Sequence, residues 1–241
     1  MNNVISIYNA KGGVGRSTIS VLLANILFFE FNLKVAIIDA NAPLHCIFKS
    51  RKREMDKIES GKSPENKLKA FNELYSNRLP YQIISTGINN IPEAILELKS
   101  QDYFDFIFVD ASDRLQPQHL YKFLLEVNYI LIPTSDDEFS LDTAKALHDT
   151  IYQKIKPVSK NFKDCQILFN RILGQNILES QVLPTIENKY NVFSQYISKH
   201  RLYETEYRST LFPFSKKTKE GNKLYLFAER FIASLNEYTI A

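Results

Sequence analysis

Only seven glycines occur in the 241 residues, and three of them fall at positions 12, 13 and 15, inside the stretch "NAKGGVGRST". Glycine is the residue that reaches left-handed backbone conformations at no steric cost. A chain that concentrates this freedom in one loop must turn sharply there. The apolar run "VISIY" precedes the loop and the apolar run "ISVLLANILFF" follows it. Strand, glycine loop and helix in that order form the context in which backbone N–H groups wrap phosphates. In this reading Gly12, Gly13 and Gly15, with Val14 between them, let the backbone approach the phosphates. Ser17, followed by Thr18, supplies a hydroxyl for Mg²⁺, and the helix that starts near Ser17 points its positive end at the ligand. A strand-to-helix turn with no ligand is the alternative.

Six short blocks rich in Ile, Val and Phe recur along the chain, at residues 3–9, 34–40, 81–86, 104–110, 128–134 and 164–170, with helical stretches between them. They are near-continuously apolar rather than alternating, as strands covered on both faces are. The expected class is therefore α/β, a doubly wound, mostly parallel sheet with helices on both faces. One domain is expected over residues 1–241, with its least regular part in the highly charged segment 49–80, read as an exposed, mobile insertion. The stripe Leu224, Phe227, Phe231 and Leu235 in the last helical stretch has the three-and-four spacing of a core face. The run from Ile19 to Phe29 is 11 residues, short of the roughly 18 of a membrane span. No secretory signal is read at the start, so a cytoplasmic protein without a membrane partner is expected. Cys46 and Cys165 lack metal-site spacing and read as two reduced, structural thiols. The four histidines show no ligand spacing either, and no nucleophilic triad is identifiable.

The loop "KGGVGRST" resembles that of the ParA/MinD group of deviant Walker A ATPases, whose pattern is K-G-G-x-G-K-[ST]. The resemblance implies the P-loop NTPase fold, ATP and Mg²⁺ as cofactors, and a nucleotide-dependent homodimer. Lys11 matches the lysine that reaches across the dimer to the partner's ATP in that family. Arg16 stands where the family has its second lysine. Arginine keeps the charge but brings a longer, planar fork in place of a compact ammonium. A charge-assisted contact contributes roughly 1.5 to 3 kcal/mol, so a misfitted Arg16 weakens nucleotide binding by about one to two decades. The contrary reading has Arg16 pointing into solvent.

Further along, "IIDANAPLH" stands where the family carries D-x-D. Asp39 matches the first carboxylate, placed near Mg²⁺, whereas Asn41 replaces the second, which faces the attacking water. Asparagine can hold a water but cannot take its proton, so slow hydrolysis is expected. In the bland alternative Asn41 caps a helix beginning near Ala42 and Pro43. "FDFIFVDASD" places Asp110 as the Walker B carboxylate behind Ser17, and its continuation Ala111-Ser112-Asp113 departs from the family. Asp113 as a substitute for the missing carboxylate is the minor reading; a solvated loop aspartate is the ordinary one. "ILFNRI" is similar to the strand whose terminal pair lies over the adenine, which assigns Asn170 and Arg171 to the base, with a helix cap as the alternative role of Asn170.

With a net charge of +3, bulk composition decides little about partners. Two basic clusters, Lys49/Arg51/Lys52/Arg53/Lys57 and Lys216/Lys217/Lys219, are candidates for non-specific DNA contact, or else solvated helix faces. The resemblance implies a role in plasmid or chromosome partition, or in transfer of mobile DNA, with a partner protein. Its rival is a catalytically silent interaction protein that keeps the P-loop fold and binds nucleotide weakly or not at all.

Overall fold

A computed structural model describes residues 3–113, 115–172 and 182–237. Among them seven strands form one parallel sheet in the order β3-β2-β4-β1-β5-β6-β7. The strands are β1 (Asn3–Ile7), β2 (Val35–Ala40), β3 (Gln82–Ser85), β4 (Phe106–Ala111), β5 (Tyr129–Thr134), β6 (Asp164–Ile172) and β7 (Ile197–Ser198). The first six coincide with the six apolar blocks of the sequence. The seventh has two residues, too short for a periodic signal. Every residue of β2, β4 and β5 is buried, which explains why these strands read as continuous rather than alternating apolar runs.

Two cores form because both faces of the sheet are covered. On one face lie α1 (Arg16–Phe29), α2 (Cys46–Glu59), α3 (Glu65–Leu74), the short α8 (Arg201–Glu204) and α9 (Lys219–Glu237). Ile19, Leu22, Leu23, Ile26 and Leu27 of α1 pack there with Leu224, Phe227, Phe231 and Leu235 of α9. The stripe in the last helix is thus core, as its spacing indicates. On the other face α4 (Ile91–Ser100), α5 (Pro117–Leu125) and α6 (Glu138–Thr150) cover Ala36, Ile38, Ile107, Val109 and Ile130. One further helix, α7 (Val182–Glu187), precedes β7. Both cysteines are free; Cys165 is buried and Cys46 half-buried.

The charged segment 49–80 forms most of α2 and the whole of α3, and a polar network ties it to the C-terminal part of the chain. Glu54 Oε2 accepts hydrogen bonds from the Thr210 amide (2.8 Å) and hydroxyl (2.6 Å). Arg51 donates to the Thr210 carbonyl (2.7 Å), the Thr210 hydroxyl (2.9 Å) and the Tyr81 carbonyl (2.9 Å), with its guanidinium over the Tyr81 ring. Asn25 of α1 donates to the Ser209 carbonyl and accepts from the Tyr81 hydroxyl. Arg51 is therefore committed to the interior, which removes it from the basic cluster; Lys49, Lys52, Arg53 and Lys57 remain exposed.

The β1–α1 turn lies at the carboxyl end of the central strand, where the chain runs from β1 over β4 to β2 and later returns to β5 on the other side. Such a reversal leaves a crevice between the flanking loops. Phe231 is 1% exposed at the contact of α9 with α1. Phe231→Ala is expected to cost about 3–5 kcal/mol in urea unfolding, and a cost below about 1 kcal/mol contradicts this packing.

Candidate functional site

At Gly13 (φ 79°) and Gly15 (φ 92°) the loop enters the left-handed region, which carries a steric penalty for residues with a Cβ. Two residues from the end of β6 hold it. Asn170 Nδ2 donates to the Val14 carbonyl at 2.7 Å, and Arg171 Nη1 donates to the Gly13 carbonyl at 2.6 Å. A Cβ added at Gly15 would strike the Asn170 amide. Asn170 and Arg171, assigned to the base by resemblance, are thus placed against the loop's own backbone. Arg171 itself has φ 63°, an uncommon conformation for a bulky residue and one that clusters at ligand sites.

Arg16 does not point into solvent. It is 9% exposed and turned back beneath the loop, where Nη1 donates to the Asn9 carbonyl at 2.9 Å and Nη2 lies 3.6 Å from Asp113 Oδ2. That correction has a steric and a chemical reason: the guanidinium is long enough to fold back, and a buried carbonyl and a carboxylate both accept its donors. Asp113 correspondingly is not a purely solvated loop aspartate. Its Oδ2 lies 2.7 Å from the point where a Cβ on Gly12 would stand, so the carboxylate rests directly on the glycine loop.

Ser17 Oγ donates to Asp110 Oδ2 at 2.7 Å. Asp110 is fully buried, yet its Oδ1 has no hydrogen-bond partner. Burial pushes this carboxyl up to about 7, against a hydrogen bond from Ser17, with Asp39 adding to the rise and Arg16 and Arg208 opposing it. An orphaned buried carboxylate oxygen beside a hydroxyl is a hard-oxygen donor set that fits Mg²⁺, which binds through one or two carboxylates plus phosphate and water oxygens.

Asp39 is also fully buried, but its carboxylate is occupied. Oδ2 accepts from the amides of Ile47 and Phe48, each at 2.9 Å, and Oδ1 from the Asn41 amide at 3.2 Å. These are the second and third amides of α2, which begins at Cys46, so Asp39 caps this helix from the end of β2. Asn41 is not that cap, and no helix begins at Ala42 or Pro43. Instead Asn41, Ala42, Pro43 and Leu44 form one wall of a 490 Å³ cavity. Gly13, Gly15, Arg16, Ser17 and Thr18 make its floor, and Ser112, Asp113, Arg171 and Arg208 close it. A volume in this range suits a cofactor.

Lys11 lies outside the cavity lining, with Nζ 4.4 Å over the Phe139 ring at the start of α6. Two residues at the site carried no sequence signal. Arg208 comes from the segment before α9, nearly 200 positions from the loop, and Cys46 borders Ser17 through a hydrogen bond that opposes the burial-driven rise of its thiol. Among the described residues, no cluster of three His, Cys, Asp or Glu side chains could hold a metal ion.

A family model described as an AAA domain matches residues 2–57, the span from β1 into α2. Three solved structures superpose on nearly the whole chain. A protein described as a plasmid partition protein from Borrelia burgdorferi B31, bound to AMPPNP, matches with a TM-score of 0.65 and 19% identity over 97% of this chain and 100% of its own. A ParA family ATPase from Chlorobium tepidum TLS matches with a TM-score of 0.63 and 19% identity, over 95% and 98%. The septum site-determining protein MinD from Pyrococcus horikoshii, complexed with Mg-ADP, gives 0.62 and 17%, over 96% of each chain. The chain has the ParA/MinD fold. No curated protein matches it. At these identities the likeness establishes the P-loop architecture resembled by the sequence, and the ParA/MinD fold accounts for the carboxyl-end position of the glycine loop.

Asp110 gives a pH signature to the metal-free protein. Its folded pKa of about 7 stands above an unfolded value of about 3.9. Between those values the folded state holds the extra proton, so the burden of a buried anion grows as pH rises through 7. In Mg²⁺-free buffer Asp110→Asn is expected to unfold at higher urea than the parent at pH 8, with the gap closing near pH 4. A gap independent of pH contradicts the assignment.

Proposed function

We propose that this protein is a ParA-like, ATP-binding switch that dimerises around nucleotide and hydrolyses it slowly. The observation that carries the reading is the orphaned Asp110 Oδ1, buried behind Ser17, which itself lines a cavity floored by the glycine loop. In this arrangement Mg²⁺ would be held by Ser17 and Asp110, with Asp39 behind them. It would neutralise the developing charge of a phosphoryl group. The chain's own residues perform the rest. Gly12, Gly13, Val14 and Gly15 present backbone amides to the phosphates, and Thr18 lines the floor. Asn170 and Arg171 fix the loop through its own carbonyls, beside Ile197, Lys199 and Tyr203.

Lys11 supports a role across a dimer. Lys11 is half-buried, but the Phe139 ring it covers is 66% exposed, and an exposed cation–π contact contributes only about 0.5–1 kcal/mol, so the lysine can leave it for a partner's phosphates at little cost. Asn41 supports slow turnover, since the amide on the cavity wall can position a water but not deprotonate it. Partition or transfer of DNA, with non-specific DNA contact through Lys52, Arg53, Lys57 and the Lys216/Lys217/Lys219 cluster, follows the ParA likeness, as do a stimulating partner protein and a cytoplasmic location. No described helix is long and apolar enough to cross a membrane.

One observation favours the rival reading, a P-loop-fold interaction protein without nucleotide. Asp113 already sits on Gly12 and pairs with Arg16, so a carboxylate stands beside the anion seat. Calorimetric titration with ATP and Mg²⁺ separates the two. A saturable isotherm is expected, and no heat at about 1 mM nucleotide, where even a weak site would respond, sinks the ATPase reading. Asn41→Asp is expected to raise the steady-state phosphate release rate by roughly tenfold or more; a parent that already equals the variant removes the slow-turnover claim.

A further inference from the structure

The cation that the sequence places on the phosphates is Arg16, but two of its nitrogens are engaged by the Asn9 carbonyl and by Asp113. A guanidinium neutralised by a carboxylate and turned under the loop has little left for a ligand. Arg208 presents the opposite case. It lines the same cavity from a different part of the chain, and among the described residues no acidic group pairs with it. The geometry points to Arg208 as the guanidinium that binds the phosphate chain of the nucleotide, supplied within the same protomer by the turn Glu206–Arg208, in place of the loop residue Arg16. This assignment deepens the nucleotide-binding reading and rests on it.

The support for Arg208 is unusually firm for a residue so far from the loop in sequence. On one side Tyr207 is buried, its hydroxyl 2.7 Å from Thr218 Oγ1 and its ring stacked on Phe214 with centroids 4.6 Å apart. On the other side the Ser209 carbonyl accepts from Asn25, and Thr210 is held by both Glu54 and Arg51. Arg208 is thereby pinned between anchors on α1, α2 and the start of α9. A side chain set on a braced segment loses less freedom when it binds than one on an open loop. Its charge also reaches the metal end of the cavity, where it draws down the pKa of both Asp110 and Cys46. Arginine's planar fork suits two phosphate oxygens at once.

The decisive experiment measures ATP binding with Mg²⁺ by calorimetry, together with thermal unfolding without nucleotide, for the parent, Arg208→Ala, Arg208→Lys and Arg16→Ala. Arg208→Ala is expected to weaken ATP binding by about tenfold or more, as loss of a charge-assisted contact does, at an unchanged unfolding midpoint. Arg208→Lys should recover part of the loss. Arg16→Ala should instead lower the unfolding midpoint, because it strands the buried Asn9 carbonyl, and should weaken ATP binding less than Arg208→Ala does. If Arg208→Ala fails to fold, Arg208→Lys alone decides, with affinity equal to the parent counting against the assignment. Parent-like ATP affinity in Arg208→Ala overturns the role of Arg208 and leaves the nucleotide reading standing. Absence of ATP binding in the parent itself overturns both.

Discussion

Left-handed backbone at Gly13 and Gly15 opens the loop after β1, and an open loop of this kind has to be held by something other than its own hydrogen bonds. Here the carbonyls of Gly13 and Val14 are taken by Arg171 and Asn170, and the carbonyl of Asn9 is taken by Arg16. With these three acceptors satisfied by side chains, the loop is held open against the cavity. The rest of the site follows from that. Ser17 is set in the first turn of α1 within reach of Asp110, and the cavity wall from Asn41 to Leu44 is fixed in turn by Asp39, which caps α2. The strands β2, β4 and β6 thus deliver Asp39, Asp110, Asn170 and Arg171 to one end of the sheet, each already committed before any ligand arrives except at Asp110 Oδ1.

Much of this was legible in the residues because the physics is local. The six main strands were readable since burial on both faces leaves uninterrupted apolar runs, and the glycine loop was readable since so few residues can adopt its conformation. The direction of Arg16 was left open between phosphate and solvent, for a reason that is not local. Whether it faces solvent or folds under the loop depends on the Asn9 carbonyl and on Asp113, which lies about a hundred residues away. The cap of α2 was misplaced similarly. Asn41 has the right chemistry and position for a cap, but Asp39 reaches the second and third amides of a helix that starts later than the proline suggests. Arg208 had no signal whatever, because its approach to the loop is set by the Thr210 network and by the Tyr75 hydroxyl on the Leu211 carbonyl, contacts between segments separated by more than 100 residues.

The charges around the cavity are arranged differently from what a lysine at position 16 would give. Replacing a compact ammonium by a guanidinium at position 16 creates a group that binds protein acceptors well, and Asp113 is the acceptor this chain supplies. The positive charge lost to the cavity is made up by Arg171 and Arg208 at its rim. On the hydrolytic side no such compensation is visible. Asn41 lines the wall with an amide, and Asp113 is held by Arg16 rather than directed at a water. Under the proposed function, a site with cations at its rim and an amide at position 41 would hold nucleotide and turn it over slowly.

The central claim is that the glycine loop and its cavity receive ATP with Mg²⁺. Amide hydrogen exchange of the intact protein, with and without ATP and Mg²⁺, tests it most directly, since it reports on the loop backbone itself. The account predicts slowed exchange at residues 12–18, together with residues 206–210 at the far wall. Unchanged exchange across both segments at saturating nucleotide would contradict it.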